Sequence, residues 1–311
     1  MRREMAALAM IVTGASEPTE RVVDADALID VSVNGRPMKL RIEPDAPGLP
    51  LIAPARAREM GLKGGGLFAF GVGFGIGRDH FSGRTESAKV SLAGAKPEGR
   101  RVGWLSRDYV PAADGTIGPA GLSEPVIRFR FRAARPGDVS LTLPLDIEGG
   151  IAGALFGSWF YLPGLLKVGD TSVRVRFDPH HPQTLATAPA AIALAKAYGG
   201  VMTTETGRQE IAFGIERPYR VMKLARPFEL GGLRLGTLGV RVSDEDVTGR
   251  IAEEGATQPA PDPDEVVVTA KSKKKPRIGV VTIGADALAA CASLVFDKPA
   301  RELRLSCALA S

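Results

Sequence analysis

A chain of 311 residues, 44% hydrophobic and 24% charged, has ordinary globular composition and can bury one large or two moderate cores. Its 37 Gly and 23 Pro favour many short strands joined by turns over long helices. The net charge of +5 comes with scattered Arg: Arg128, Arg130 and Arg132 alternate, as do Arg174 and Arg176. Without stacking aromatics beside them these are solvated strand faces, so no nucleic-acid partner is expected.

In chain order, Met1-Arg2-Arg3-Glu4 is followed by apolar Met5 to Gly14 and the small residues Ala15-Ser16. This is the outline of a short export signal. Residues 1–21 are therefore set apart, and the expected location is periplasmic or secreted, with cytoplasmic as the alternative. Val31 to Ile42, turning at Asn34-Gly35, leads into Glu43-Pro44-Asp45-Ala46-Pro47, and Pro54 to Met60 reads as a short helix closed by Gly61. From Leu67 to His80, Gly71, Gly73, Gly75 and Gly77 alternate with Val72, Phe74 and Ile76. No helix pattern follows to point an N-terminus at a phosphate, so the stretch reads as a flexible hairpin arching over a cleft. The strand Ser87 to Leu92, the segment Thr116-Ile117-Gly118 to Leu122, and a hairpin of Val126–Phe131 with Val139–Leu143 complete a first unit, 22–145.

The second unit, 146–311, repeats that order. Gly149 to Leu166 is uncharged, but five Gly and Pro163 make it a crossover and a first strand, with no integral membrane span expected. Val173 to Phe177 leads into Asp178-Pro179-His180-His181-Pro182, which lies 135 residues after the first acidic turn and shares that offset with Arg41/Arg176 and Pro54/Pro189. A helix, Pro189 to Tyr198, closes at Gly199, and the strand Leu233 to Val242 follows Leu230-Gly231-Gly232. Thr282-Ile283-Gly284 to Leu288 then matches Thr116 to Leu122, and the hairpin Leu294 to Leu305 matches Val126 to Leu143. Two elements recurring in the same order point to an internal duplication.

Between them, 244–277 starts acidic, turns Pro-rich and ends in Lys271-Ser272-Lys273-Lys274-Lys275, a composition that predicts disorder. Its one β-prone patch, Glu265-Val266-Val267-Val268-Thr269-Ala270, resembles the energy-coupling box of TonB-dependent outer-membrane transporters. That resemblance implies an envelope partner taken by strand addition; the alternative is a linker with one sticky patch. The two cysteines flank the last hairpin. Antiparallel partners keep a constant index sum, which is 599 for Asp297 with Glu302 and 598 for Cys291 with Cys307, so the thiols fall within bridging reach. A bridge would suit an oxidising compartment; two buried free thiols are the alternative.

The order of strand, acidic turn, short helix ending in Gly-Leu, Gly-rich hairpin and Thr-Ile-Gly element resembles the retropepsin/pepsin-like aspartic proteases. The resemblance implies an all-β fold, mainly β with short helices, built as two pseudo-twofold-related aspartic-protease-like β-barrel lobes. It also implies an extended peptide or protein segment as partner and no cofactor. The family's two Asp-Thr-Gly turns fall on Glu43-Pro44-Asp45 and Asp178-Pro179-His180, which makes Glu43, Asp45 and Asp178 the catalytic candidates. Two carboxyls sharing a proton supply one acid and one base. The turns depart from the family pattern, because Pro44 and Pro179 bring neither a hydroxyl nor an amide proton, and Asp45 and His180 replace glycine.

Three readings follow. In the first, the chain is an impaired protease that binds an extended peptide through Phe74, Gly75 and His180 without cutting it. In the second, it is an active, atypical endopeptidase using Glu43 or Asp45 with Asp178. In the third, Glu43, Asp45, Asp178 and one of His180 or His181 hold zinc or a related ion in an envelope protein. A Ser-His-Asp triad has no Gly-x-Ser-x-Gly elbow to rest on.

Overall fold

The computed structural model describes residues 19–24, 26–64, 71–76, 79–109, 111–148, 160–242, 252–253 and 278–309. Among these residues, 21 strands numbered in chain order form three sheets, with three short helices. The expected all-β class is the one observed. Residues 1–18 and the segment Glu265–Ala270 lie outside the described residues, whereas Glu20 and Arg21, set apart with the export signal, belong to the first strand, Glu20–Asp24.

The seven-stranded sheet holds β2 (Leu28–Val33), β3 (Arg36–Ile42), β4 (Leu51–Ile52), β5 (Gly71–Ile76), β6 (Asp79–Leu92), β7 (Glu98–Leu105) and β8 (Gly115–Ile117). Alternation sets its inner face: Ile29, Val31 and Val33 on β2 and Met38, Leu40 and Ile42 on β3 are all buried. Asn34 and Gly35, at φ 50° and 79°, make the two-residue turn between them, where both central residues must be left-handed. Helix α1 (Pro54–Glu59) starts on a proline and is followed by left-handed Gly61.

The eight-stranded sheet holds β12 (Leu165–Val168), β13 (Thr171–Phe177), β14 (Leu185–Ala186), β15 (Gly200–Ala212), β16 (Ile215–Leu230), β17 (Leu233–Arg241), β18 (Ala252–Glu253) and β19 (Gly279–Ile283). Helix α2 (Ala188–Tyr198) again starts beside a proline and ends on a left-handed glycine, Gly199. Its buried Ala190 comes so close to β19 that a Cβ on Gly279 would sit 2.5 Å from the Ala190 nitrogen. Small residues are what let helix and sheet approach this closely.

Both sheets share one pairing scheme. β3 runs parallel to β8 with Arg41 opposite Thr116 and Ile42 opposite Ile117; β13 runs parallel to β19 with Arg176 opposite Thr282 and Phe177 opposite Ile283. β4 is antiparallel to β8 with Leu51 on Thr116, and parallel to β7 with Leu51 on Gly103. β14 does the same with Leu185 on Thr282 and on Gly239. The 135-residue offset is therefore kept in the register of β3 and β13, while the strands that pair with them recur in the same scheme at other spacings.

Close packing behind each turn demands glycine. A Cβ on Gly118 would lie 1.9 Å from the Ala46 carbonyl oxygen, and one on Gly284 would lie 2.7 Å from the His181 oxygen. Both obstacles are backbone and cannot swing aside. Gly118→Ala is expected to cost about 3 kcal/mol, the upper end for overpacking. Urea unfolding reads this, and a midpoint unchanged from wild type would refute the contact.

The six-stranded sheet joins distant parts of the chain in the order β1 (Glu20–Asp24), β9 (Val126–Arg130), β20 (Cys291–Asp297), β21 (Glu302–Ala308), β10 (Asp138–Glu148) and β11 (Phe160–Pro163). This corrects the expected hairpin of Val126–Phe131 with Val139–Leu143. β9 pairs with β1 and β20, and β10 pairs with β21 and β11. The closing hairpin slots between them, which buries Leu294, Phe296, Leu303 and Leu305 in the middle of a sheet. That hairpin has the expected register, Asp297 on Glu302 and Cys291 on Cys307, with the change of sum taken up by a bulge. Cys291 and Cys307 form a disulfide.

The Arg ladder of β9 is matched to acids on β1: Arg128 meets Glu20 and Arg130 meets Asp24. Of the segment expected to be disordered, Ala252-Glu253 pairs with β15 as β18; the remainder lies outside the described residues. No helix among the described residues is long and apolar enough to cross a membrane.

Candidate functional site

β3 and β13 deliver the two acidic turns in the same way. The Glu43 amide donates to the Ile117 carbonyl at 3.1 Å, and the Asp178 amide donates to the Ile283 carbonyl at 2.9 Å. Each turn then closes on itself, Ala46 N–H to Glu43 O at 3.3 Å and His181 N–H to Asp178 O at 3.2 Å. By register, Glu43 answers to Asp178, Asp45 to His180 and Ala46 to His181.

The structure brings Glu43, Asp45 and Asp178 into one electrostatic cluster. Burial pushes the Glu43 carboxyl up to about 8, helped by the neighbouring charges of Asp45 and Asp178 and opposed by Arg41. The Arg41 guanidinium stands 3.7 Å from Glu43 Oε1. Burial also pushes Asp45 up to about 6; Asp178 adds to this, while Arg176 and His181 oppose it. Arg41 and Arg176, which occupy matching positions, thus each act across the site: Arg176 bears on Asp45, and Arg41 helps burial to hold His180 below its ordinary value.

Asp178 is buried; one of its oxygens faces a backbone N–H and the other an imidazole nitrogen. Oδ1 accepts the backbone N–H of His180 at 2.8 Å, and Oδ2 lies 3.4 Å from His181 Nε2. A side chain at position 180 therefore does not prevent the backbone from serving the carboxylate. The His180 ring takes no part in that contact, and its Nε2 is buried without a hydrogen-bond partner.

Sequence reasoning missed the long hairpin β15–β16, which follows α2 where only the strand Leu233–Val242 was expected. Its turn, Phe213-Gly214 at φ 56° and 70°, sits between alternating residues and was the available signal. The tip reaches the acidic cluster: the Ile211 carbonyl lies 3.1 Å from His181 Nε2, and Glu210 adds to the charge around Glu43. Phe213 packs edge-on against Tyr109 of the first unit at 5.6 Å. Burial, with Glu43 and Glu210 nearby, pushes the Tyr109 hydroxyl up to about 12. Gln209 and Gln183 exchange two hydrogen bonds, which staple the hairpin to the turn after Asp178.

Phe74 and Gly75 lie on β5, opposite Phe81 and His80 of β6. Their side-chain surroundings fall outside the described residues. Among the described residues, no group of three or more His, Cys, Asp and Glu is arranged to hold a metal ion.

Fold and site together define an all-β protein in which two like turns gather three carboxyls under a hairpin tip. Among solved structures, the chain is similar to the crystal structure of aspartic proteinase from Irpex lacteus, with 13% identity and a TM-score of 0.40 over 91% of this chain and 94% of that one. At that level of overlap the likeness carries no argument about the site. No family model and no curated protein matches the chain.

Proposed function

We propose that the protein is an atypical aspartic-type peptidase acting on an extended peptide, with Asp178 as base and Glu43 as acid. The observation that carries this is the convergence of Glu43 and Asp178 from register-matched turns, with Glu43 holding its proton at neutral pH. In this reading Asp178 takes a proton from a water whose oxygen adds to the scissile carbonyl carbon, while Glu43 protonates the carbonyl oxygen. Asp178 then gives its proton to the leaving nitrogen as the C–N bond breaks, and Glu43 takes back the proton from the oxygen as the C=O bond re-forms. Asp45, at the position matched to His180, tunes the pair. The repeated register supports an internal duplication, with lobes at 22–145 and 146–311. The Cys291–Cys307 bridge supports export to the periplasm or beyond.

A second reading, peptide binding without cleavage, is favoured by Pro44 and Pro179, which leave the two turns without hydroxyl or amide links between them. Mass spectrometry of a mixed peptide library incubated with the protein between pH 4 and 8 separates the two. Cleavage products that build up with time support the peptidase. Enrichment of intact peptides on the protein, with no products, replaces it by the binding reading.

A further inference from the structure

We infer that His181 is a positioning residue for Asp178, with its proton placed by the Ile211 carbonyl on the β15–β16 hairpin. The inference rests on Asp178 acting as the base. His181 Nε2 lies 3.1 Å from the Ile211 oxygen and 3.4 Å from Asp178 Oδ2. A carbonyl oxygen can only accept, so Nε2 carries the hydrogen toward Ile211, and that N–H stands beside Asp178 Oδ2 as well. With the opposite tautomer, a bare Nε2 lone pair would face two oxygens.

Because Oδ1 is held by the His180 amide, rotation about Cβ–Cγ of Asp178 breaks one contact or the other. The carboxylate plane is therefore set. The ring in turn is set by its backbone, since His181 N–H donates to Asp178 O at 3.2 Å and His181 O accepts from Ala285 N–H at 2.7 Å. His181 Nδ1 is buried and has no hydrogen-bond partner, so the ring has a single polar attachment.

The first turn has no counterpart to this device. The position matched to His181 is Ala46, whose side chain carries no donor, and among the described residues the cation beside Glu43 is Arg41 at 3.7 Å. Two turns of one register thus differ in how they treat their carboxyls. One carboxyl has a backbone N–H and an imidazole beside it; the other is half-buried beside a guanidinium. Because Ile211 belongs to the hairpin tip, the same contact ties the orientation of the base to the seating of that hairpin.

The test uses the full chain. Long-range 15N NMR of labelled histidine is expected to show the Nε2–H tautomer for His181; the Nδ1–H form would overturn the inference. In peptide cleavage, His181→Ala is expected to lower kcat by about 10- to 100-fold with KM within about twofold, and His181→Gln, which keeps an N–H donor, to recover most of the loss. Thermal unfolding checks that both variants fold. A folded His181→Ala with wild-type kcat, or a Gln variant no better than Ala, overturns the positioning role. If the wild-type protein cleaves nothing, the peptidase reading fails by itself and the positioning role with it, while the tautomer measurement still decides whether the Ile211 carbonyl places the His181 proton.

Discussion

Asp178→Asn is expected to lower kcat/KM for peptide cleavage by at least ~1000-fold, equivalent to about 4 kcal/mol of transition-state stabilisation. Asn keeps the size of the side chain and an oxygen able to accept the His180 amide, so the turn is expected to stay closed. What it lacks is the capacity to take a proton from water. Quantifying products at equal folded concentration, checked by circular dichroism, reads the effect. A variant retaining a tenth of the activity would remove Asp178 from the role of base. The companion comparison allocates the acid: Glu43→Gln should lose about 100-fold and Asp45→Asn less than about 10-fold, the ordinary range for a general acid against a neighbour that only tunes it. The reverse order would move the acid to Asp45.

Glu43→Gln is also expected to change the dependence of stability on pH. Folding raises Glu43 from its ordinary 4.5 to about 8, because burial and the Asp45 and Asp178 charges disfavour its ionised form. The folded state therefore binds this proton more tightly than the unfolded chain. The associated stability is fully present below about 4.5 and is lost as pH rises through about 8. Across that interval the wild type should lose ~1.4 kcal/mol per pH unit on account of this one group. Asp45, raised to about 6, adds a loss of the same sign at lower pH. Gln resembles the protonated Glu and cannot ionise, so the variant should gain on the wild type from pH 5 up to about 8 and level off above it. Urea midpoints at pH 5, 7 and 9 measure it, and parallel curves for the two proteins would mean Glu43 is not buried among like charges. Cleavage should weaken over the same upper range, as the acid loses its proton above about 8.

The sequence by itself determined what depends on near neighbours. Asn34-Gly35 is a left-handed turn because few other pairs tolerate it, and Gly61 and Gly199 end their helices for the same reason. The 135-residue offset was legible because matching turns need matching residue types. The Cys291–Cys307 bridge was legible because antiparallel register obeys simple arithmetic over a short hairpin. Glu43, Asp45 and Asp178 stand out as candidates in the same way, at fixed places in a repeated local pattern.

Only the tertiary structure decided which strand lies beside which, and what surrounds each carboxyl. β9 and β10 carry the alternation of a hairpin, yet β20 and β21 separate them, because alternation specifies a buried face and leaves the edge partner open. The same limit concealed the site's environment. Nothing local to Asp178-Pro179-His180-His181 announces that Ile211, 30 residues away, will hold the imidazole, or that Tyr109 will receive Phe213. The raised values of Glu43 and Asp45 follow from burial and from charges, of which Asp45 is local to Glu43 while Asp178 comes from a distant turn. Desolvation and Coulomb repulsion depend on distance in space, which the order of residues along the chain does not contain.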